Sequence, residues 1–251
     1  MSELKNLLES LYEKLNKRRL VDPDPLKFLY DCPDIKDREI LGLSASSLAY
    51  GRVAQILKSI DKILQPMHGR PFDFITSHNE NDFRGIYKGF VHRFTTSEDI
   101  VKLFAGIKHV LKEYGNFENL YLSGVEKFAD EINMSQKSYL IPSPSDGSAC
   151  KRLNLFFRWM VRCDEVDPGG WTKASAANLV VPLDTHAFKA AKILGFTEKK
   201  APNYKTALEI TSHFAEISPE DPVKYDFALT RFGIRDDMTF DDFKLEVKKV
   251  L

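Results

Sequence analysis

The sequence predicts an all-α fold. Apolar residues recur with the helical period in almost every segment, caps and breakers punctuate those segments, and no stretch alternates apolar with polar residues as a strand would. Residues 2–20 place Leu4, Leu7, Leu8, Leu11, Tyr12 and Leu15 on one stripe, which stops at Val21-Asp22-Pro23-Asp24-Pro25. A short helix near residues 25–31 leads to a run from about 36 to 48 carrying Ile40, Leu41, Leu43, Ala45 and Leu48. Gly51 precedes another amphipathic run, Val53, Ile56, Leu57, Ile60, Ile63 and Leu64, which ends before Pro66. Between residues 68 and 94 the period is less clear, and Phe72, Phe74, Phe83, Tyr87 and Phe90 read as aromatic plugs on short helices. A helix starts at Thr96 or Ser97, where Ser97-Glu98-Asp99 supplies a cap and an acidic first turn, and Gly115 stops it after Tyr114. A shorter helical segment covers 120–132.

The stretch from 140 to 195 opens on a turn-rich loop, Ile141-Pro142-Ser143-Pro144-Ser145-Asp146-Gly147-Ser148, followed by a helical run from 149 to 162. A second Pro-, Gly- and Asp-rich loop leads to Val181-Pro182-Leu183-Asp184-Thr185-His186 and a helix that stops at Gly195. Asn203 can cap a run through Ile217. Ser218-Pro219-Glu220-Asp221 has a cap, a proline at the first position and an acid three residues on, which predicts a helix from 218 to Gly233. Thr239-Phe240-Asp241-Asp242 starts the last helix.

Composition narrows the function. A chain of 251 residues can bury one sizeable core or two helical lobes, and 43% hydrophobic with 29% charged residues is ordinary for a soluble globular protein. The net charge is zero, so no global field attracts nucleic acid, and a DNA-binding surface must come from local clustering. Three cysteines, Cys32, Cys150 and Cys163, lack metal-type spacing; neither a disulfide framework, a zinc site nor a four-cysteine iron–sulfur cluster is expected. The chain opens on a charged amphipathic run, and no apolar stretch approaches the roughly 20 residues that cross a bilayer. The expectation is a cytoplasmic monomer with no membrane contact, no metal and no cofactor.

Two residues in the central stretch carry chemistry. Lys151 lies in the first turn of a helix whose later positions, Leu153, Phe156, Phe157, Met160 and Val161, look buried. The positive end of the helix dipole disfavours an ammonium there and favours the neutral amine, the form a Schiff-base nucleophile needs. A snorkelling surface lysine beside Arg152 is the alternative from position alone. Asp184 sits where an N-cap belongs, and capping by itself accounts for it. A cap carboxylate is also held rigidly and can stabilise a developing positive charge nearby. The loop 142–148 can present several backbone N–H groups at a helix start, an arrangement that binds anions, with Gly147 allowing close approach by a phosphate.

These residues resemble the helix-hairpin-helix DNA glycosylases. Pro182-Leu183-Asp184-Thr185-His186-Ala187-Phe188-Lys189, with Leu194-Gly195, is similar to that family's Val-Asp-Thr-His-Val/Ile-x-Arg segment, and Lys151-Arg152-Leu153-Asn154-Leu155-Phe156-Phe157 falls where bifunctional members place their lysine. Leu43-Ser44-Ala45-Ser46-Ser47 resembles the family's Leu-Ser-Ala-Gln-Thr segment. There are departures. The hairpin Leu-Pro-Gly-Val-Gly is replaced by residues 141–147, the glutamine position is Ser46, the iron–sulfur cysteines are missing, and Lys151 and Asp184 stand farther apart in sequence than in the commonest members. The archaeal 8-oxoguanine glycosylases share the divergent hairpin and the long interval. The chain is also similar to an uncharacterised bacterial family with the same Lys-Arg-Leu-Asn-Leu-Phe-x-Arg-Trp-Met and Pro-Leu-Asp-Thr-His pattern.

The resemblance implies a two-lobed helical glycosylase architecture with a cleft between lobes. The first lobe would span 40–140, the hairpin, lysine helix and Asp loop 141–195, and the helices of 1–35 and 196–251 would pack on the second lobe. It implies base-excision repair on double-stranded DNA carrying a damaged base or an abasic site, with 8-oxoguanine the expected lesion. The base would be flipped out of the duplex. Lys151 would attack C1′, Asp184 would stabilise the oxocarbenium-like charge, and the Schiff base would permit AP lyase cleavage. Ser145, Gly147, Ser148, Arg152 and Lys189, with Lys192, would hold the DNA backbone. Ser46, Phe156, Trp171 and Pro182 are the candidates for the base pocket, Phe157 and Trp159 being further aromatic candidates. The alternative is a non-catalytic helical DNA- or RNA-binding module that has kept the fold.

Overall fold

The computed structural model of the chain describes residues 2–250. It is all-α apart from one two-stranded hairpin, and it divides into two compact units: residues 1–20 with 147–251, and Val21–Asp146.

The first helix, α1 (Ser2–Leu15), buries Leu4, Leu8, Leu11 and Leu15, the i, i+4, i+7 stripe read from the sequence. It ends five residues earlier than the periodicity suggests. The Asn16 amide donates to Asp164 Oδ2 at 3.0 Å and the Arg18 N–H to Glu165 Oε1 at 3.2 Å, so the chain leaves the helix to meet the 163–167 loop, and residues 18–20 form a separate 3₁₀ turn.

Within Val21–Asp146, α2 (Ile35–Ser47) is capped by Asp34 and buried from Glu39 through Ser47. It packs on α4 (Pro71–Ser77) and on the 3₁₀ turn Pro25–Leu29, and α3 (Val53–Leu64) lies between them in sequence with Ile56, Ile60 and Ile63 inward. Four of the five aromatic plugs expected in 68–94 are present: Phe74, Phe83, Tyr87 and Phe90 are buried around α4 and α5 (Glu80–Ile86), with Phe83 and Tyr87 both ringing Phe104 at 5.4 Å, whereas Phe72 is half-exposed beneath Lys36. The strands β1 (Val91–His92) and β2 (Thr95–Thr96) pair antiparallel, each too short to show alternation in the sequence. Thr96 and Asp99 form a capping box at the start of α6 (Ser97–Tyr114), which Gly115 ends as expected. The helical segment predicted over 120–132 is two helices, α7 (Phe117–Tyr121) and α8 (Val125–Ile132), broken where Gly124 turns at φ +104°.

Within the other unit, α9 (Lys151–Val161) starts after Cys150, which adopts φ +49°, and α10 (Thr185–Ile193) starts on Asp184. Helix α11 (Tyr204–Ile217) is capped by Asn203, α12 (Asp226–Ile234) packs on α1 and α10, and α13 (Phe240–Val247) opens with a capping box from Thr239 and Asp242. The helix expected from Ser218 begins only at Asp226. In a helix starting at Ser218, Pro222 would lack the N–H that the first i→i−4 bond requires; residues 218–225 form turns instead, and Arg162 binds Asp221 at 2.8 Å.

Two glycines mark close helix contacts. A Cβ on Gly106 in α6 would stand 1.8 Å from the Ile132 carbonyl oxygen of α8, and one on Gly233 in α12 would stand 2.1 Å from His186 Nδ1 and 2.6 Å from Phe240 Cε2. The first obstacle is backbone, the second two side-chain rings that can rotate. Gly106→Ala should therefore cost about 3 kcal/mol or more and Gly233→Ala about 1 to 2 kcal/mol, read as midpoints in urea denaturation; equal losses would mean that α8 yields as easily as His186 does.

Candidate functional site

Helix α9 begins without a side-chain cap, and Lys151 occupies its first position, half-buried. The Ser148 hydroxyl accepts the Cys150 N–H at 3.1 Å, fixing the turn that sets Lys151 in place. Asp184 is half-buried as well, and its Oδ1 accepts the N–H groups of His186 and Ala187, both at 2.9 Å. It is an N-cap in full, as the sequence predicts. Oδ1 carries both capping bonds, so the second oxygen is not needed to start the helix. Pro182 and Leu183 before it are buried, and the Val181 N–H donates to Thr211 Oγ1 at 3.0 Å, which ties this loop to α11.

Lys151 and Asp184 share one unit, and a buried charge network ties α9 to the 163–167 loop and to α12. Arg158, two turns along α9 from Lys151, donates to Asp167 Oδ1 through Nε and Nη2 at 3.1 and 3.0 Å and to Asp226 Oδ2 through Nη1 at 2.6 Å. Arg162 binds Asp167, Asp164 at 2.8 Å and Asp221 at 2.8 Å. Asp164 in turn accepts from the Tyr12 hydroxyl at 2.9 Å and from the N–H groups of Val166 and Asp167. Arg158, Arg162, Asp167 and Asp226 are all buried. Burial acts to raise the Asp164 pKa, but the Arg162 guanidinium and the two amides outweigh it, and the carboxyl titrates below its ordinary range.

Asp226 behaves in the opposite way. Burial pushes its carboxyl up to about 6, Arg158 pulling down and the Asp184 charge pushing further up. Its Oδ1 is buried with no hydrogen-bond partner among the described residues. Two carboxyls at the starts of α10 and α12 therefore feel one another, and the buried one favours its proton. This pair was missed in the sequence, where the only signal was Arg158 and Arg162 at helical spacing within an apolar face, followed by Asp164 and Asp167.

The other expected site residues differ in exposure. Ser145 and Gly147 are exposed and Ser148 is half-exposed; among the described residues their backbone N–H groups donate to no other group. The same loop contains Asp146, which accepts the Ser143 N–H at 3.2 Å and lies 3.6 Å from Lys137 Nζ. Lys189 and Lys192 are exposed, lying over the rings of Phe240 at 4.7 Å and Phe188 at 5.0 Å. Arg152 departs from the expectation of a surface phosphate contact: it is buried, because it falls on the same face of α9 as Phe156 and Trp159, at i+4 and i+7. Phe156 departs from the expectation of a stacking face. It is wholly buried, its ring 5.7 Å from Phe157 and 5.5 Å from Trp171 in an edge-to-face pair. Trp171 is 6% exposed, while Phe157 and Trp159 are core residues. Ser46 and Ser145 belong to the Val21–Asp146 unit, and Ser46 is buried, donating to the Leu43 carbonyl at 3.1 Å. Among the described residues no group of three or more His, Cys, Asp or Glu is placed to hold a metal ion, and no helix is long and apolar enough to cross a membrane. None of Cys32, Cys150 and Cys163 is in a disulfide.

The Asp226 carboxyl makes stability depend on pH with a defined sign. Because its folded pKa lies above the unfolded value, folding favours the protonated form, and the folded state is penalised progressively as pH rises from about 4 through about 6. Asp226→Asn escapes that penalty. Its stability relative to the parent, from urea denaturation at a series of pH values, should improve by up to about 3 kcal/mol between pH 4 and 7. A pH-independent difference would show that Asp226 ionises like an ordinary carboxylate.

No curated protein and no solved structure matches the chain. One family model does, described as "Protein of unknown function (DUF2400)", over residues 24–235. That span takes in both units, Lys151, Asp184 and the charge network, and the chain belongs to the DUF2400 family.

Proposed function

We propose that the chain is a DNA glycosylase with AP lyase activity, of the two-lobed helix-hairpin-helix architecture that its motifs resemble, acting on an oxidised base with 8-oxoguanine as the first candidate. The observation that supports the reading is that one unit contains both a lysine at the first position of α9 and an aspartate that caps α10 through a single oxygen. Helix α9 is anchored at Arg158 and Arg162, so the Lys151 amine projects from a fixed support.

The chemistry follows from those two groups. The neutral Nζ attacks C1′ while the C1′–N bond breaks, and the base leaves with the electron pair and takes up a proton. Asp184 stabilises the positive charge that builds on the sugar. Loss of a proton from the attached amine and opening of the sugar ring give the Schiff base; removal of a C2′ proton then expels the 3′ phosphate. The amides of Gly147 and Ser148 suit contact with a backbone phosphate, with Lys189 and Lys192 of the same unit adding charge.

Trapping with borohydride tests this. Incubated with duplex carrying 8-oxoguanine or an abasic site, the protein should form a covalent adduct that Lys151→Ala abolishes. Asp184→Asn should keep the fold, since asparagine also caps, while base release falls about 100-fold or more. No adduct on either substrate, or an adduct undiminished in Lys151→Ala, would rule the reading out.

A further inference from the structure

We propose that the tip of the β1–β2 hairpin, Arg93 and Phe94, forms with Tyr139 a stacking site for an unpaired nucleobase of a DNA strand. Singly exposed apolar side chains need no explanation, but here they gather. Phe94 is 71% exposed, Val91 60% and Tyr139 54%, and the Phe94 and Tyr139 rings meet edge-to-face at 6.0 Å. Tyr50 meets Tyr139 in the same manner at 5.2 Å.

The tip is held rigidly. The Tyr50 hydroxyl donates to the His92 carbonyl at 2.8 Å and lies 2.7 Å from Thr95 Oγ1. The buried His92 ring bonds Ser59 Oγ at 2.9 Å and the Tyr50 carbonyl at 3.1 Å. Arg93 takes a left-handed conformation, φ +52°, and its guanidinium lies 5.5 Å from the Phe94 ring centre and 5.7 Å from that of Tyr50. Gly51 makes room for it, since a Cβ there would stand 2.7 Å from Arg93 Cδ. A large aromatic ring is thus kept in water by a strained turn and four polar contacts, when a relaxed chain would fold it away.

The chemistry around the rings selects the occupant. Beside Tyr139 lies a hollow lined by Lys102, Lys137, Asn133, Gln136 and Ser138. Its one acidic lining residue, Asp99, is committed through Oδ2 to the Thr96 N–H at 2.7 Å and hydroxyl at 2.8 Å. Flat rings flanked by a guanidinium, with Lys102, the 93% exposed Lys137 that also lies 3.6 Å from Asp146, and amide side chains alongside, match a base that stacks and a phosphate that follows it. A paired base within a duplex hides both faces, which is why the partner is an unpaired one. The site lies wholly in Val21–Asp146, which contains neither Lys151 nor Asp184, so it stands whether or not the chain is a glycosylase.

Fluorescence anisotropy on the full chain tests it, with a labelled oligothymidylate of about a dozen nucleotides and an abasic strand of the same length that keeps the phosphates and lacks the bases. The oligothymidylate should bind about tenfold or more tighter than the abasic strand. Phe94→Ala and Tyr139→Ala should each erase most of that difference without changing abasic binding, and Phe94→Trp should preserve it. Both side chains are exposed, so melting temperatures should stay at the parent value. Equal affinity for the two strands, no binding of either, unchanged affinity in both alanine variants, or conversion of a self-associated protein to a monomer by Phe94→Ala would overturn the proposal.

Discussion

The bonds of Arg158 and Arg162 to four aspartates hold together the unit that contains the candidate catalytic pair. Two guanidiniums and Asp164, Asp167, Asp221 and Asp226 meet in a region from which water is largely excluded. The desolvation of such groups is expensive, and removing one partner of a buried pair typically costs about 3 to 5 kcal/mol because its mate is left charged and alone. What the network provides is geometry. It fixes the C-terminal half of α9 to the 163–167 loop, to the turn before α12 and to the first turn of α12, while Tyr12 and Asn16 bring α1 to the same loop.

From this the placement of Lys151 and Asp184 follows. An α-helix rises about 1.5 Å per residue, so Lys151 stands roughly 10 Å along α9 from Arg158, at the opposite end of the helix. Asp184 is set by its own capping bonds and by Thr211, and its charge reaches Asp226, which Arg158 grips. Carboxyl, carboxyl and guanidinium form one electrostatic chain. Burial and the neighbouring Asp184 both raise the Asp226 pKa, and Arg158 opposes them.

The Val21–Asp146 unit is organised by apolar packing instead. Helix α2 is buried on every side from Glu39 onward, Gly106 lets α6 touch the end of α8, and Phe83, Tyr87 and Phe104 fill the space between short helices. Against that economical core the hairpin is the exception, spending polar contacts to hold Phe94 in solvent. One unit carries buried charge and the other displays exposed aromatic surface.

Local chemistry was legible in the chain. The caps at Asp184, Asn203 and Thr239, the stop at Gly115 and the apolar stripe of α1 were all readable, because each depends on residues within a turn or two of one another. Ser218 has the marks of a helix start, but Pro222 cannot make the first helical bond, and the first helix ends early because Asp164, 148 positions away, draws Asn16 out of it. Burial of Arg152 and Phe156, the gathering of six charged side chains around α9 and the encounter of Phe94 with Tyr139 depend on segments far apart in sequence. The sequence by itself determined the helical class, the cap on Asp184 and the position of Lys151 at a helix start. Which charges are buried, which rings are exposed and which carboxyl has its pKa raised only the tertiary structure decided, because desolvation is a property of what surrounds a group and not of its neighbours along the chain.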